Sequence, residues 1–203
     1  MLPPICPVCG RSTNSAAVCP SCRRAPPAIN GIRSVVVLEN GARQAIHQFK
    51  YRNRSSLAAP LASLMADYWA ASPLPADLIV AVPLHVARQR ERGYNQAHLL
   101  ARGLGQMVGL PLATNTLRRT RPTRVQVGLD ALERQVNVRD AFTCEARAIA
   151  RGGSRLHLET VEGRQILLVD DVCTTGATLE ACTVALRQAG AARVWGFTLA
   201  HAR

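Results

Sequence analysis

The sequence has no long hydrophobic run, only one lysine and few aromatic residues. None of the 203 residues belongs to an apolar stretch of eighteen or more, and the start, MLPPICPVCG, lacks the basic and apolar regions of a signal peptide. We therefore expect a cytoplasmic protein with no membrane insertion. The length suits one α/β domain of ordinary size with a small appendage.

Positive charge is in excess, and nearly all of it is arginine. The formal net charge is +12, and Lys50 is the single lysine among 25 basic residues. A field of that sign attracts polyanions, either nucleic acid or phosphorylated metabolites, before any contact forms. A general preference for arginine in the source genome explains the same excess, so the charge alone selects no ligand.

Four of the seven cysteines are packed at the front of the chain, in the spacing C-x2-C-x9-C-x2-C. They are Cys6, Cys9, Cys19 and Cys22. Each pair can present two thiolates to one tetrahedral ion, whereas disulfides, the alternative, are rare in a reducing compartment. We predict a structural Zn²⁺ with no open position for water. Pro26 and Pro27 mark a boundary, which divides the chain into a zinc-binding segment at 1–28 and a main domain at 29–203.

Hydrophobic periodicity in the main domain predicts alternating strands and helices. Strands are predicted at 34–39, 77–83, 166–169 and 193–200, and helices at 41–49, 55–70, 96–107 and 177–190. Leu61, Leu64 and Met65 on the second helix, and Met107 on the third, are predicted to face the core. The polar stretch 117–155 is predicted to be a functional flap. This order implies an open parallel sheet flanked by helices, with ligands at the carboxyl ends of its strands.

The stretch LLVDDVCTTGATL, residues 167–179, places Asp170 and Asp171 just before a turn into a helix. The first N–H groups and the positive dipole end of that helix favour a phosphate. If the ligand is a sugar phosphate, the carboxylates can accept hydrogen bonds from vicinal ribose hydroxyls one sugar length away. The candidate phosphate-binding residues are Thr174, Thr175, Gly176, Ala177 and Thr178. The alternative is a capped helix preceded by solvent-facing acids.

Further basic residues are candidates for binding a pyrophosphate group or for catalysis. Arg88 and Arg92 lie four apart after a predicted buried strand, so one helical turn would aim both at one cluster of oxygens. A solvated basic face is the alternative. Lys50 departs from the preference for arginine, which hints at a need for a compact ammonium group.

The motif at 167–179 resembles the phosphoribosyl pyrophosphate (PRPP) motif of type I phosphoribosyltransferases. The resemblance extends over nearly the whole chain to the ComF family, also called competence protein F or GntX-like, on blocks such as HQFKYRNR and ILLVDDVCTTGATLEAC. It implies a type I phosphoribosyltransferase-like fold that binds PRPP with Mg²⁺, behind a zinc-binding N-terminal segment. Asp170 and Asp171 would hold the ribose, and the turn at 174–178 would hold the 5′-phosphate.

The stretch LRRTRPTRVQVGLDALERQVN resembles the mobile catalytic loop of that fold, which closes over PRPP and excludes water. Arg119, Arg121 and Gln126 are its candidates for contact with the ligand. One departure restricts the chemistry, because Thr174 stands where enzymes that act on 6-oxopurines carry a third carboxylate. The resemblance therefore argues against a hypoxanthine-guanine activity.

Two functions follow from the resemblance. The first is a PRPP-binding phosphoribosyltransferase, linked to DNA uptake in natural competence or to nucleotide metabolism. The alternative is an accessory protein that binds single-stranded DNA and keeps the PRPP pocket as a regulatory or vestigial site. Proteins of the competence machinery are candidate partners through the zinc-binding segment.

Overall fold

A computed structural model describes residues 4–51, 54–114, 116–121, 140–145, 147–152 and 155–202. Its strands are β1 (Gly31–Val37), β2 (Leu78–Ala81), β3 (Leu112–Ala113), β4 (Leu117–Arg119), β5 (Phe142–Cys144), β6 (Arg147–Gly152), β7 (Arg155–Thr160), β8 (Gln165–Cys173) and β9 (Arg193–His201). Its helices are α1 (Pro20–Arg24), α2 (Asn40–Tyr51), α3 (Ala58–Ala71), α4 (Val86–Arg92), α5 (Gln96–Val108) and α6 (Ala177–Gln188). A short 3₁₀ helix, Ser55–Leu57, precedes α3. Within these ranges, no helix has the length and apolar character needed to span a membrane.

The predicted open parallel sheet is confirmed. Five strands pair in the order β1-β9-β8-β2-β3, and every pairing is parallel. Strands β4 and β5 form a separate antiparallel pair, and so do β6 and β7. The parallel arrangement brings the carboxyl ends of β2, β8 and β9 to one edge of the sheet, where such folds bind ligands.

Both faces of the central strand β8 are buried, which explains its continuous apolar run. Ile166 and Leu168 pack into a core layer that includes residues of α6, β4 and β5. Leu167 and Val169 point to the opposite layer, which is filled by α2, α3 and α5. All four side chains are fully buried. Helices on both faces of a parallel sheet give the three-layer α/β architecture expected from the sequence.

The N-terminal segment is attached to this sheet by backbone hydrogen bonds. The N–H of Ile32, on β1, donates to the carbonyl oxygen of Val8 at 2.8 Å. The carboxylate of Glu180, on α6, accepts from the N–H groups of Ala28 and Ile29 at 2.6 and 3.2 Å. The two bonds to Glu180 hold the chain against α6 at the predicted boundary, residue 28.

Three local predictions are wrong. Leu61 and Met65 are buried on α3 as expected, but Leu64 is 48% exposed because the buried stripe runs through Ala62 instead. Met107, near the end of α5, is 52% exposed. Strand β8 does not end at residue 169 but continues through the acidic pair to Cys173, because β9 remains paired with it over that length.

Candidate functional site

Two adjacent carboxylates lie at the carboxyl edge of the sheet, on β8. Asp171 is 7% exposed, and Asp170 is partly buried. One carboxylate oxygen of Asp170 accepts a hydrogen bond from the N–H of Asp171 at 2.8 Å. Burial, followed by the charge of Asp171, raises the pKa of Asp170 to about 8. At neutral pH Asp170 is therefore mostly protonated, and a ligand that brings a cation or hydrogen-bond donors would favour its ionised form.

Lys50, at the end of α2, faces this acidic pair. Its Nζ atom lies 2.7 Å from Oδ2 of Asp171, and both side chains are largely buried. Burial by itself lowers the pKa of Lys50, but attraction to Asp171 and Asp170 outweighs it and raises the pKa overall. The ammonium group thus stays charged. The sequence makes Lys50 a candidate for holding a phosphate or donating a proton, and in the structure it is paired with a carboxylate.

The five residues predicted to bind phosphate run from the turn after β8 into the first turn of α6: Thr174, Thr175 and Gly176 connect the two elements, and Ala177 and Thr178 begin the helix. Gly176 has a φ of +84°, in the left-handed region that glycine adopts at little cost, and it precedes the first residue of the helix. The hydroxyl oxygen of Thr175 accepts from the N–H of Ala177 at 3.3 Å. Thr175 is exposed, while Thr174 and Thr178 are partly exposed. Three threonine hydroxyl groups therefore lie beside the start of a twelve-residue helix.

Helix α4 holds Arg88 and Arg92 over the same edge of the sheet. It starts after His85, whose Nδ1 accepts from the N–H of Ala87 at 3.3 Å, and it ends at Gly93 with a φ of +80°. The two predicted arginines lie on one side of this helix and are partly buried. The sequence predicts that one helical turn aims both arginines the same way, and in the structure the stretch is a helix of seven residues.

The two arginines have different surroundings. Arg92 donates to the side-chain oxygen of the buried Gln96 at 2.7 Å and is close enough to Lys50 to oppose its charge. Arg88 is close enough to Arg119 to oppose its charge in the same way. Helix α4 therefore spans the distance between Lys50 and Arg119.

Arg119, at the end of β4, lies close to Arg88 and to Asp170. Its guanidinium carbon lies 5.3 Å from the ring centre of Phe142, a contact of the cation–π type. Burial lowers the pKa of Arg119, Arg88 lowers it further, and Asp170 is close enough to raise it. Arg121 is exposed two residues later, and the predicted Gln126 lies outside the described residues.

A cleft of about 570 Å³ opens beside Arg119, between α4, the start of α5 and strands β2 to β4. Its polar lining includes Gln89, Asn95, His98, Arg118, Arg119 and Thr120. The cleft is not predicted from the sequence, because its walls come from segments that are far apart in the chain and meet only in the folded structure. Asn95 also caps α5, since its side-chain oxygen accepts from the N–H of Ala97 at 3.0 Å.

The four front cysteines form one compact cluster that could hold a metal ion, with their sulfur atoms within 4.8 Å of one another. The sulfurs of Cys9 and Cys19 lie 3.8 Å apart, and a tetrahedron with Zn–S bonds of 2.3 Å has edges of about 3.8 Å. The N–H of Cys19 donates to the sulfur of Cys6 at 3.4 Å. Although burial opposes the thiolate, hydrogen bonds from neighbouring backbone groups lower the pKa of Cys6 to about 6. The donor set and its spacing fit Zn²⁺.

Comparison with known proteins gives one family model and several relatives. The model of the phosphoribosyl transferase domain matches residues 90–202. The chain is 35% identical over 197 residues to the DNA utilization protein YhgH of Salmonella typhi, covering 94% of this chain and 81% of that protein. It is 34% identical over 163 residues to competence protein F of Haemophilus influenzae, covering 76% of this chain and 66% of that protein.

Among solved structures, the chain is similar to the allosteric regulatory enzyme of purine biosynthesis. The TM-score is 0.44 at 22% sequence identity, over 70% of this chain. The match covers 26% of that enzyme, so the chain spans about a quarter of its length.

Proposed function

Because the chain belongs to the phosphoribosyltransferase domain family, in its ComF branch with competence protein F and YhgH, we propose that the carboxyl edge of the sheet binds PRPP. Asp170 and Asp171 accept hydrogen bonds from the ribose hydroxyls, and the turn at 174–178 binds the 5′-phosphate. The observation that carries this proposal is the succession, on β8 and the residues that follow it, of two adjacent carboxylates and a helix start.

Phosphate groups stand at both ends of PRPP, with vicinal hydroxyls between them, and the site has matching groups in that order. The helix start of α6 suits the 5′-phosphate, and the acidic pair suits the hydroxyls. Arg88 and Arg119 suit the pyrophosphate, because guanidinium groups bind phosphate oxygens bidentately. Lys50 and Arg92 would keep the acidic pair from repelling the ligand.

The family implies two metal ions, Mg²⁺ and Zn²⁺, and the chain has a fitting set of residues for each. Asp170 and Asp171 offer carboxylate oxygens, and Mg²⁺ usually binds one or two carboxylates together with substrate phosphates. When bound, Mg²⁺ would neutralise charge on the pyrophosphate. The four cysteines would bind a structural Zn²⁺, which would stabilise residues 1–28 as a folded segment in front of the main domain, 29–203.

The chemistry that this arrangement supports is pentosyl transfer. A nitrogen nucleophile would form a bond to the anomeric carbon while the bond from that carbon to the pyrophosphate oxygen breaks, and pyrophosphate would leave. Arg88 and Arg119 would stabilise the negative charge that grows on the leaving group. Arg121 and Gln126 are further candidates from the flap, whose closure would exclude water.

Calorimetric titration of PRPP with Mg²⁺ into the zinc-loaded protein tests the binding site. The variant that carries Asp170→Asn and Asp171→Asn should lose saturable binding, because it can no longer offer carboxylates to the ribose and to Mg²⁺. Asp67→Asn, on the exposed side of α3, removes a carboxylate far from the site and should bind as the wild type does. Absence of binding by the wild type would refute the proposal.

Transfer is tested separately from binding. Isotope-labelled PRPP is incubated with a panel of nitrogen bases, and labelled pyrophosphate is measured. The expected acceptor is a base other than a 6-oxopurine, since Thr174 replaces the carboxylate that such bases require. If PRPP binds tightly but none of the bases causes release of labelled pyrophosphate, the result would favour a regulatory pocket over an enzyme.

Binding of single-stranded DNA is the second candidate, because relatives bear the names DNA utilization protein and competence protein, and the net charge is +12. The logarithm of the association constant for a fluorescent oligonucleotide should then fall linearly with the logarithm of the salt concentration. The slope should be about −0.7 for each phosphate neutralised. Arg90, on the exposed side of α4, is a candidate contact, and Arg90→Gln should reduce that slope. Binding that does not respond to salt would exclude this function.

A further inference from the structure

The four-cysteine segment is laid directly on β1. The carbonyl oxygen of Val8, between the first two cysteines, accepts from the N–H of Ile32 at 2.8 Å. The guanidinium of Arg33 donates to the carbonyl oxygen of Pro7 at 2.9 Å. Gly10 has a φ of +73°, and a Cβ added there would lie 2.7 Å from the carbonyl oxygen of Ile32. The fit is therefore too close for any side chain at Gly10. The position of residues 6–10, the cysteine loop, fixes the position of Ile32.

The side chain of Ile32 extends from this contact to residues 174–178, the phosphate loop. Ile32 is 2% exposed, and its Cδ1 atom lies 3.3 Å from where a Cβ on Gly176 would stand. Gly176 is the central residue of the turn at 174–178. Ile32 thus has the cysteine loop against its backbone and the phosphate loop against the end of its side chain.

A second set of contacts joins the same two loops through the ends of β8 and β9, where Cys173 and His201 are paired. The side chain of His201 lies beside the backbone of Cys9, and the sulfur of Cys173 lies beside the backbone of Gly176. The carbonyl oxygen of Cys173 also accepts from the N–H of Ala202 at 2.8 Å. Both routes therefore start at the loop around Cys9 and end at Gly176.

We propose that the four-cysteine segment supports the phosphate loop, with Ile32 as the positioning residue between them, so that metal binding and 5′-phosphate binding are coupled. The inference rests on the phosphate loop proposed above and adds a role for the metal centre beyond the folding of its own segment. Because linkage is reciprocal, a metal that tightens phosphate binding is itself bound more tightly when phosphate is present, by the same factor.

Two matched variants test the contact. Ile32→Val removes only the Cδ1 methyl that lies against Gly176. Ile79→Val makes the same change at a fully buried isoleucine of the opposite core layer, whose Cδ1 lies against Gly105. In calorimetry with ribose 5-phosphate as the probe, Ile32→Val should weaken binding about threefold to tenfold, the affinity equivalent of losing one packed methyl, with the metal retained. Ile79→Val should leave the affinity unchanged.

The coupling is measured from the metal side with Co²⁺, whose thiolate complex absorbs visible light. Co²⁺ is titrated into the metal-free protein with and without saturating ribose 5-phosphate. In the wild type, the sugar phosphate should raise the metal affinity by the factor by which the metal raises the sugar-phosphate affinity. In Ile32→Val that factor should fall toward one, whereas a purely structural loss would weaken both affinities and leave the factor intact.

Amide hydrogen exchange over residues 173–178 gives a result that needs no ligand. Metal loading should slow exchange in this turn in the wild type, and less so in Ile32→Val, with peptides from β2 as the internal reference. If the wild type binds no ribose 5-phosphate while exchange still responds to the metal, the PRPP proposal fails and the support role stands. Exchange and affinity that are both indifferent to the metal overturn the inference, even if PRPP binds.

Discussion

Replacing Asp170 by asparagine should stabilise the ligand-free protein while it weakens PRPP binding. The folded chain holds the proton of Asp170 up to a pKa of about 8, whereas the unfolded chain releases it near 3.8. Between those pKa values the folded state binds more protons, so the stability of the wild type falls as the pH rises. Asparagine cannot ionise, and its side-chain oxygen can still accept from the N–H of Asp171, as the aspartate does at 2.8 Å.

The size of the gain follows from the same shift. At about 1.4 kcal/mol per pKa unit, a rise from 3.8 to about 8 corresponds to an upper bound of roughly 6 kcal/mol once the pH exceeds 8. Asp170 is partly exposed at an open edge of the sheet, so water screens much of that cost. We therefore expect a gain of about 2 kcal/mol, which for a chain of this size raises the melting temperature by about 4–8 °C.

The assay is thermal unfolding of metal-loaded wild type and Asp170→Asn at several pH values from 6 to 9. The difference in melting temperature should grow from pH 6 to about 8 and then stay constant. Asp67→Asn, at an exposed position on α3, controls for the removal of one negative charge. A variant that melts at or below the wild-type temperature at pH 8, or a gain that does not depend on pH, would refute the reasoning.

Three further predictions concern single side chains. Lys50→Met should lower the free energy of unfolding at pH 8 by about 2–3 kcal/mol in denaturant titrations, because it leaves the acidic pair without the ammonium group that lies 2.7 Å away; Lys50→Arg should lose less. Gly10→Ala should lower the free energy of unfolding by about 2 kcal/mol and weaken metal binding, because a Cβ there would lie 2.7 Å from a backbone oxygen of β1. Gly41→Ala is the control: no atom lies within 4 Å of its new Cβ, so it should stabilise α2 slightly. Asn95→Ala should cost about 1 kcal/mol by removing the cap of α5, and Asn95→Ser should restore most of it; an unchanged melting temperature in the alanine variant would contradict this.

The sheet and the central motif could be predicted from sequence because their signals are local. A strand buried on both faces needs a continuous apolar run, and β8 has one at 166–169. The turn into α6 needs a residue that tolerates a positive φ, and Gly176 supplies it. The cysteine cluster also follows from spacing alone, since each C-x2-C pair folds its own two ligands together.

The pairing of Lys50 with Asp171 could not be predicted in the same way. The two residues are far apart in sequence, and their contact depends on α2 and β8 ending at the same edge of the sheet. The rarity of lysine was a hint that Lys50 matters, but it could not identify a partner. The resemblance to a mobile catalytic loop makes Arg119 a flap candidate, but its closeness to Asp170 depends on the pairing of β4 with β5, which the sequence does not predict.

Two carboxylates beside the proposed phosphate site become reasonable once the cations are counted. Lys50 comes from α2, Arg92 from α4 and Arg119 from β4, so separate parts of the fold supply positive charge around one acidic pair. Burial and the charge of Asp171 outweigh these cations and raise the pKa of Asp170 to about 8. A phosphate alone would add negative charge and raise that pKa further, whereas a ligand with hydroxyl donors, or one accompanied by Mg²⁺, would favour the ionised carboxylate. We therefore expect the proposed site to prefer a phosphorylated sugar with Mg²⁺ over a bare phosphate, because only the sugar and the metal offset the cost of ionising Asp170.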